Sequence, residues 1–148
     1  MKWSPPGISA AAMLAAIMLS GVAEAAAKKN VEHHSLLVTA TAYNSRVEQT
    51  TDHPYVGAWG DRLDRAPEGV RVVAVSPDLV AQGLKRGRHL RIRGFKGRFV
   101  VLDKTPSQWQ SRIDIYMGED VAGARRFGKK KVTISWTVPA PRPPPATP

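Results

Sequence analysis

"GRFVVLDKTPSQWQSRIDIYMG", residues 97–118, contains two short apolar runs, "GRFVVLD" (97–103) and "RIDIY" (112–116), and each carries an aspartate. Runs of this length, rich in β-branched residues and bounded by glycine, proline and polar clusters, read as strands. Side chains alternate along a strand, so Ile113 and Ile115 point one way while Arg112, Asp114 and Tyr116 point the other. The core takes the isoleucines, and the opposite face shows an acid beside an aromatic ring. Aspartate is a poor strand former and is costly to desolvate. Two readings of Asp114 follow from the residues alone: a strand-edge carboxylate that reaches solvent or an arginine, and an acid kept for chemistry.

The same signals recur on both sides of this stretch. "LLVTATAY" (36–43), "VRVVAV" (70–75), "HLRIRG" (89–94) and "KVTISWTV" (131–138) complete a set of about six strands separated by Gly, Pro and Asp. Two short helices fit between them. "SPDLVAQGL" offers Ser76 as a cap with Pro77 at the first helical position, and "GEDVAGARRFG" starts acidic and ends with two arginines and a glycine. An open sheet of this size would leave long edges exposed, so a mainly β, small closed barrel with one or two short helices is expected.

The ends of the chain have a different composition. Residues 1–25 contain Lys2, an apolar run from Ile8 to Ala23 and then "AEA", the pattern of a secretory signal peptide cleaved after Ala25 or Ala27. "KKNVEHHS" (28–35) reads as a flexible lead-in, and "PAPRPPPATP" (139–148) as an extended, disordered Pro-rich tail. Residues 36–138 between them, about 100 residues, are one domain's worth. No cysteine is present, so neither a disulfide framework nor a thiol for a lipid anchor exists. The expected product is exported to the periplasm or extracellular space of a bacterium, with no stable membrane anchor after cleavage and a monomer favoured. Cleavage removes one basic residue, Lys2, and one acidic residue, Glu24, so the formal charge stays at +10. Outside the cell that charge has no nucleic acid to meet. Its partners would be wall carboxylates and anionic headgroups, or it confers solubility alone.

The chemical inventory narrows to carboxylates. The sequence has no G-x-S-x-G, H-E-x-x-H or P-loop, and its four histidines (33, 34, 53, 89) lack metal-site spacing. No metal and no cofactor are expected. Three aspartates stand out by position: Asp52 in "QTTDHP", Asp103 at the end of "RFVVLD", and Asp114. Each alone also fits a turn, cap or ion-pair role.

Their setting resembles a known family. "VTATAYNS", "QTTDHP", "AWGDRL", "VRVVAVSPDLV", "FVVLD", "RIDIYMG" and "FGKKKVTI", in that order from about Val38 to Trp136, are similar to the 3D domain, named for three aspartates. The resemblance implies a six-stranded double-psi β-barrel, similar to the catalytic barrel of membrane-bound lytic transglycosylase A and to the stationary-phase survival muralytic proteins of Gram-positive bacteria. It implies Asp114 as the catalytic acid/base, with Asp103 and Asp52 lining the site, and peptidoglycan glycan strands as the partner. The reaction implied is non-hydrolytic cleavage of the β-1,4 bond between N-acetylmuramic acid (MurNAc) and N-acetylglucosamine (GlcNAc), leaving a 1,6-anhydro end. A carboxyl group with an ordinary pKa of about 3.9 is ionised at neutral pH, so this role requires Asp114 to be raised by desolvation and by a neighbouring charge. Tyr116, Trp59 and Trp109 are candidates to stack on sugar rings, with Lys104, Thr41 and Tyr43 as further substrate contacts; core packing is the competing reading for the aromatics. The stretch "DKTPSQWQSRID" departs from the Thr and Gly-rich pattern of many relatives by Lys104, Pro106 and Trp109. A non-catalytic peptidoglycan-binding barrel is the alternative, and a toxin- or inhibitor-like exported barrel a weaker one.

Overall fold

Alternation fixes which side of each strand is inner. The computed structural model describes residues 30–45 and 53–141. Its strands are β1 (Val31–Tyr43), β2 (Val70–Val75), β3 (His89–Ile92), β4 (Arg98–Lys104), β5 (Arg112–Tyr116) and β6 (Lys130–Pro139). Every one of them sends alternate residues into one core: Val38 and Ala40, Val73 and Val75, Leu90 and Ile92, Phe99 and Val101, Ile113 and Ile115, Ile134 and Trp136. Removing each such aliphatic side chain from water contributes roughly 1.5–3 kcal/mol, which makes the inner face the main source of stability.

The strands join in the order β1-β5-β2-β4-β3-β6 as a closed barrel. Neighbours in the barrel are far apart in sequence. β1 runs parallel to β5, and β2 parallel to β4, while β2 and β5 are antiparallel, as are β3 with β4 and β3 with β6. Two helices lie between strands, α1 (Pro77–Ala81) after β2 and α2 (Val121–Phe127) after β5. α1 adds Leu79 to the core. Ser76 occupies its N-cap position without capping it; the Ser76 hydroxyl instead accepts the Arg112 backbone N–H at 3.0 Å and ties the helix to the start of β5. α2 is capped as expected of its acidic start, with the Asp120 carboxylate accepting the Gly123 N–H.

Two boundaries correct the sequence reading. The lead-in expected to be flexible over 28–35 is strand from Val31 onward. Its first residues are mostly exposed and so carry no hydrophobic pattern, but the His34 ring stacks on Trp136 at 5.2 Å and 15°. Pro139, placed in the disordered tail, is the last residue of β6, a position at which its missing N–H is tolerated. The segment expected to be a signal peptide, with most of the Pro-rich tail and Asp52, lies outside the described residues. Residues Glu32–Val138 form a compact unit that contains the sheet core, and outside it the Ala140 N–H bonds the Asn30 carbonyl at 2.9 Å. Among the described residues no helix is long and apolar enough to cross a membrane.

Candidate active site

Register brings two of the three candidate aspartates, Asp103 and Asp114, into one row. Thr41 pairs with Asp114 across β1 and β5, Asp114 with Ala74 across β5 and β2, and Ala74 with Asp103 across β2 and β4. Paired residues on neighbouring strands face the same way, so Thr41, Asp114, Ala74 and Asp103 line up on the outer face. Ala74 is the small residue in the middle of the pair. Its methyl leaves the space between the two carboxyl groups open as part of a groove of about 680 Å³ that both aspartates line.

Asp103 reaches that face only because β4 bulges. Phe99 and Val101 point into the core, and strict alternation would send Asp103 after them. Between Val73/Ala74 the register slips: Val73 pairs with Val101, and Ala74 with Asp103. The extra residue, Leu102, turns the strand, which re-aims the carboxylate from core to groove. The loop over 53–62 then closes on the bulge. Gly57 is required there, since a Cβ would stand 2.3 Å from the Leu102 carbonyl oxygen.

The two carboxyl groups have different surroundings. Asp103 accepts three hydrogen bonds: its Oδ1 takes the backbone N–H groups of Ala58 (2.7 Å) and Lys104 (2.8 Å), and its Oδ2 takes the Tyr43 hydroxyl (3.0 Å). Burial first, then the charge of Asp103 and the bond to it, pushes the Tyr43 phenol far up, so this donor keeps its proton. Among the described residues Asp114 has one donor, the Thr41 hydroxyl at 2.8 Å to Oδ1. Burial lifts its pKa from 3.8 to about 6, with a further push from Asp103, against the Thr41 hydrogen bond and the Arg112 charge, which favour the carboxylate. One acid is tied down by donors and the other is poised to exchange a proton near neutral pH, the division of labour expected of an acid/base site.

The remaining candidates divide between groove and surroundings. Tyr43, Lys104 and Trp109 line the groove, and Thr41 reaches it through Asp114. The Arg112 guanidinium lies 3.6 Å from the centroid of the Trp109 ring. Trp59 is not among the lining residues; it packs partly against the core, with the Lys104 ammonium 5.3 Å from its ring. Tyr116 bonds its hydroxyl to that of Ser45 and lines a neighbouring pocket with Tyr55, Arg62 and Glu119. The loop 104–111 forms one rim, bringing Pro106 and Trp109 to the groove. It is anchored by the Thr105 N–H on the Val75 carbonyl (3.1 Å) and by the Ser111 N–H on Asp78 (2.9 Å). His53, Gly57 and Ala58 form the other rim. Sequence reasoning missed Ala58 and Ala74, whose contributions are a backbone N–H and an absence of bulk.

No protein-family model matches the sequence, and no curated protein does. Among solved structures the chain is similar to an apo expansin of Clavibacter michiganensis, with 21% identity over 75% of this chain and 54% of that one and a TM-score of 0.46. It is similar to a Streptomyces papain inhibitor at 19% identity, covering 71% of this chain and 94% of that one, with a TM-score of 0.43. A mutant of the expansin in complex with cellohexaose matches at 22% identity over 75% and 54% of the two chains, with a TM-score of 0.40. The chain spans about half the length of the expansin chains it matches.

Proposed function

We propose that this protein is an exported peptidoglycan lytic transglycosylase built on a double-psi type of barrel, with Asp114 as its single acid/base. The observation that carries the reading is the unequal carboxyl pair: Asp114, raised to about 6, across Ala74 from a triply bonded Asp103 in an open groove. Protonated Asp114 gives its proton to the glycosidic oxygen as the bond from MurNAc C1 to that oxygen breaks, releasing the GlcNAc hydroxyl. The Asp114 carboxylate then takes the proton of the MurNAc C6 hydroxyl as O6 bonds to C1. The acid is regenerated and no water is consumed. Asp103, fixed by its three donors, stabilises positive charge as it develops at the anomeric carbon. The resemblance to the 3D domain and the two parallel pairs, β1 with β5 and β2 with β4, support the same reading.

Mass spectrometry of sacculi digested with the purified protein tests it. Muropeptides ending in 1,6-anhydro-MurNAc are the expected product, because the tethered hydroxyl outcompetes water once held against C1. Reducing ends would make the protein a hydrolase. Binding to sacculi without cleavage would make it a wall-binding barrel.

A further inference from the structure

β3, β6 and the start of β4 build a face of opposite charge to the aspartate groove. In β3, Leu90 and Ile92 enter the core and His89 and Arg91 turn outward; in β6, Ile134 and Trp136 are buried and Ser135 and Thr137 are exposed. Arg91 pairs with Ser135, and on the other side Leu90 pairs with Phe99. Continuing that antiparallel register sets Arg91 beside Arg98, the first residue of β4. With His33 and His34 of β1 these residues line a cavity of about 490 Å³. Trp136 forms its floor, held by the bond from its indole N–H to the Gln82 carbonyl (3.2 Å) and by the stacked His34 ring.

Within the protein the two guanidinium groups of this cluster are poorly matched. Like charges side by side on neighbouring strands are destabilising. Arg62 and Arg86 bond Asp64 and Asp61, but among the described residues neither Arg91 nor Arg98 has a carboxylate partner. Among the described residues, the only acid in ion-pair range of the cavity's lining is Glu32, 3.7 Å from His34 Nε2. A second cavity, lined by Arg86, Arg88 and His89, adjoins at His89 and Thr137 and lengthens the basic face.

Geometry narrows what would relieve the repulsion. One guanidinium fork matches the two oxygens of a carboxylate, but two forks on strands about 4.8 Å apart match a group with more oxygens, such as a phosphate. The cavity is concave, and its large apolar residues, Leu90 and Trp136, are 1% and 5% exposed. Neither can insert into a bilayer, as an interfacial membrane site requires. We propose that this face binds the phosphate groups of a hydrophilic, soluble polyanion such as a phosphodiester-linked wall glycan, with Arg91 and Arg98 sharing one phosphate. The site is separate from the aspartate groove and does not depend on the reaction proposed for it.

Inorganic polyphosphate is the probe, titrated into the full chain by calorimetry. Replacing both groove arginines, Arg91→Gln with Arg98→Gln, should weaken binding on the order of 100-fold, since each charged hydrogen-bonding contact is worth tenfold or more. The control, Arg125→Gln with Arg126→Gln in the last turn of α2, removes the same charge elsewhere and should change affinity no more than about threefold. Equal losses in the two variants overturn the site in favour of diffuse attraction. In the wild-type protein, polyphosphate should shift the indole N–H resonance of Trp136 and leave that of Trp109 in place, a readout that holds even if the double variant does not fold. A shift at Trp109 alone overturns the proposal. So does binding to vesicles of phosphatidylcholine and phosphatidylglycerol in equal amounts without binding to polyphosphate.

Discussion

β4 serves both grooves, contributing Arg98 at its start and Asp103 at its end, and the two ends treat charge in opposite ways. At the Asp103 end the protein supplies three donors to one carboxylate, and Thr41 supplies one to its neighbour Asp114. At the Arg98 end, among the described residues, no carboxylate faces the arginines. Internal donors hold a carboxyl group in a defined place, which chemistry needs. Cations left without an internal partner keep their binding capacity for something outside the molecule.

The comparison breaks most decisively at Asp114. Asp114→Asn keeps the shape and the Thr41 hydrogen bond but has no proton to give to a glycosidic oxygen, so cleavage of sacculi should fall on the order of 10²–10⁴-fold. Polyphosphate affinity should be unchanged in the same variant, because the arginine face shares no residue with the groove. Near wild-type cleavage would remove Asp114 from the mechanism.

The stability difference between that variant and wild type should depend on pH in a defined direction. The folded-state pKa of Asp114 is raised, from 3.8 to about 6, so the native state holds its proton more tightly than the unfolded chain. Between those values the native state binds more protons, and stability falls as pH rises. Below the unfolded value the burial carries no penalty; above about 6 it is complete, at roughly 3 kcal/mol or less. Asp114→Asn escapes this loss. Its Tm should match wild type near pH 3.5 and exceed it at pH 7, and a constant difference across that range would show that Asp114 is not strained by burial.

Gly57→Ala tests the rim that positions Asp103. Its Cβ would meet the Leu102 carbonyl at the bulge, and the neighbouring Ala58 N–H would be drawn off the Asp103 carboxylate. Overpacking of this kind costs about 1–3 kcal/mol. Denaturant unfolding should register that loss, and cleavage should fall further than stability accounts for, with the arginine face unaffected.

How far these features were legible in the sequence differs by residue. β2 and β5 were readable to the residue, because "VRVVAV" and "RIDIY" carry their pattern in side chains that are buried or not. Ile113 and Ile115 went inward and Asp114 outward, as alternation required. Asp103 was found only by its position, since period two alone would bury it beside Val101. The bulge that rescues it is a register event between strands, which no single strand encodes. Ala58, Gly57 and Ala74 act through a backbone N–H, a missing Cβ and a small volume, none of which marks a catalytic site in a string of letters. The start of β1 was missed for the converse reason: Val31 to Ser35 form strand with little burial to pattern them.

The finest adjustment between the two carboxyl groups belongs to Thr41. Its hydroxyl bonds Asp114 Oδ1 and stabilises the ionised form, opposing the upward push of burial. Thr41→Val removes the donor with little change in volume, so the Asp114 pKa should rise beyond about 6. Loss of one hydrogen bond to a charged group corresponds to a shift of roughly one pH unit. The first proton transfer needs the acid form, so kcat/KM falls as pH rises through the pKa of the free enzyme. That descending limb should therefore move to higher pH by about the same unit in Thr41→Val. Tyr43→Phe, which removes a donor from Asp103 instead, should lower the rate with a smaller displacement of the limb. Equal displacement in the two variants would mean that the pair titrates as a unit, and the separate roles drawn for Asp114 and Asp103 would have to be merged.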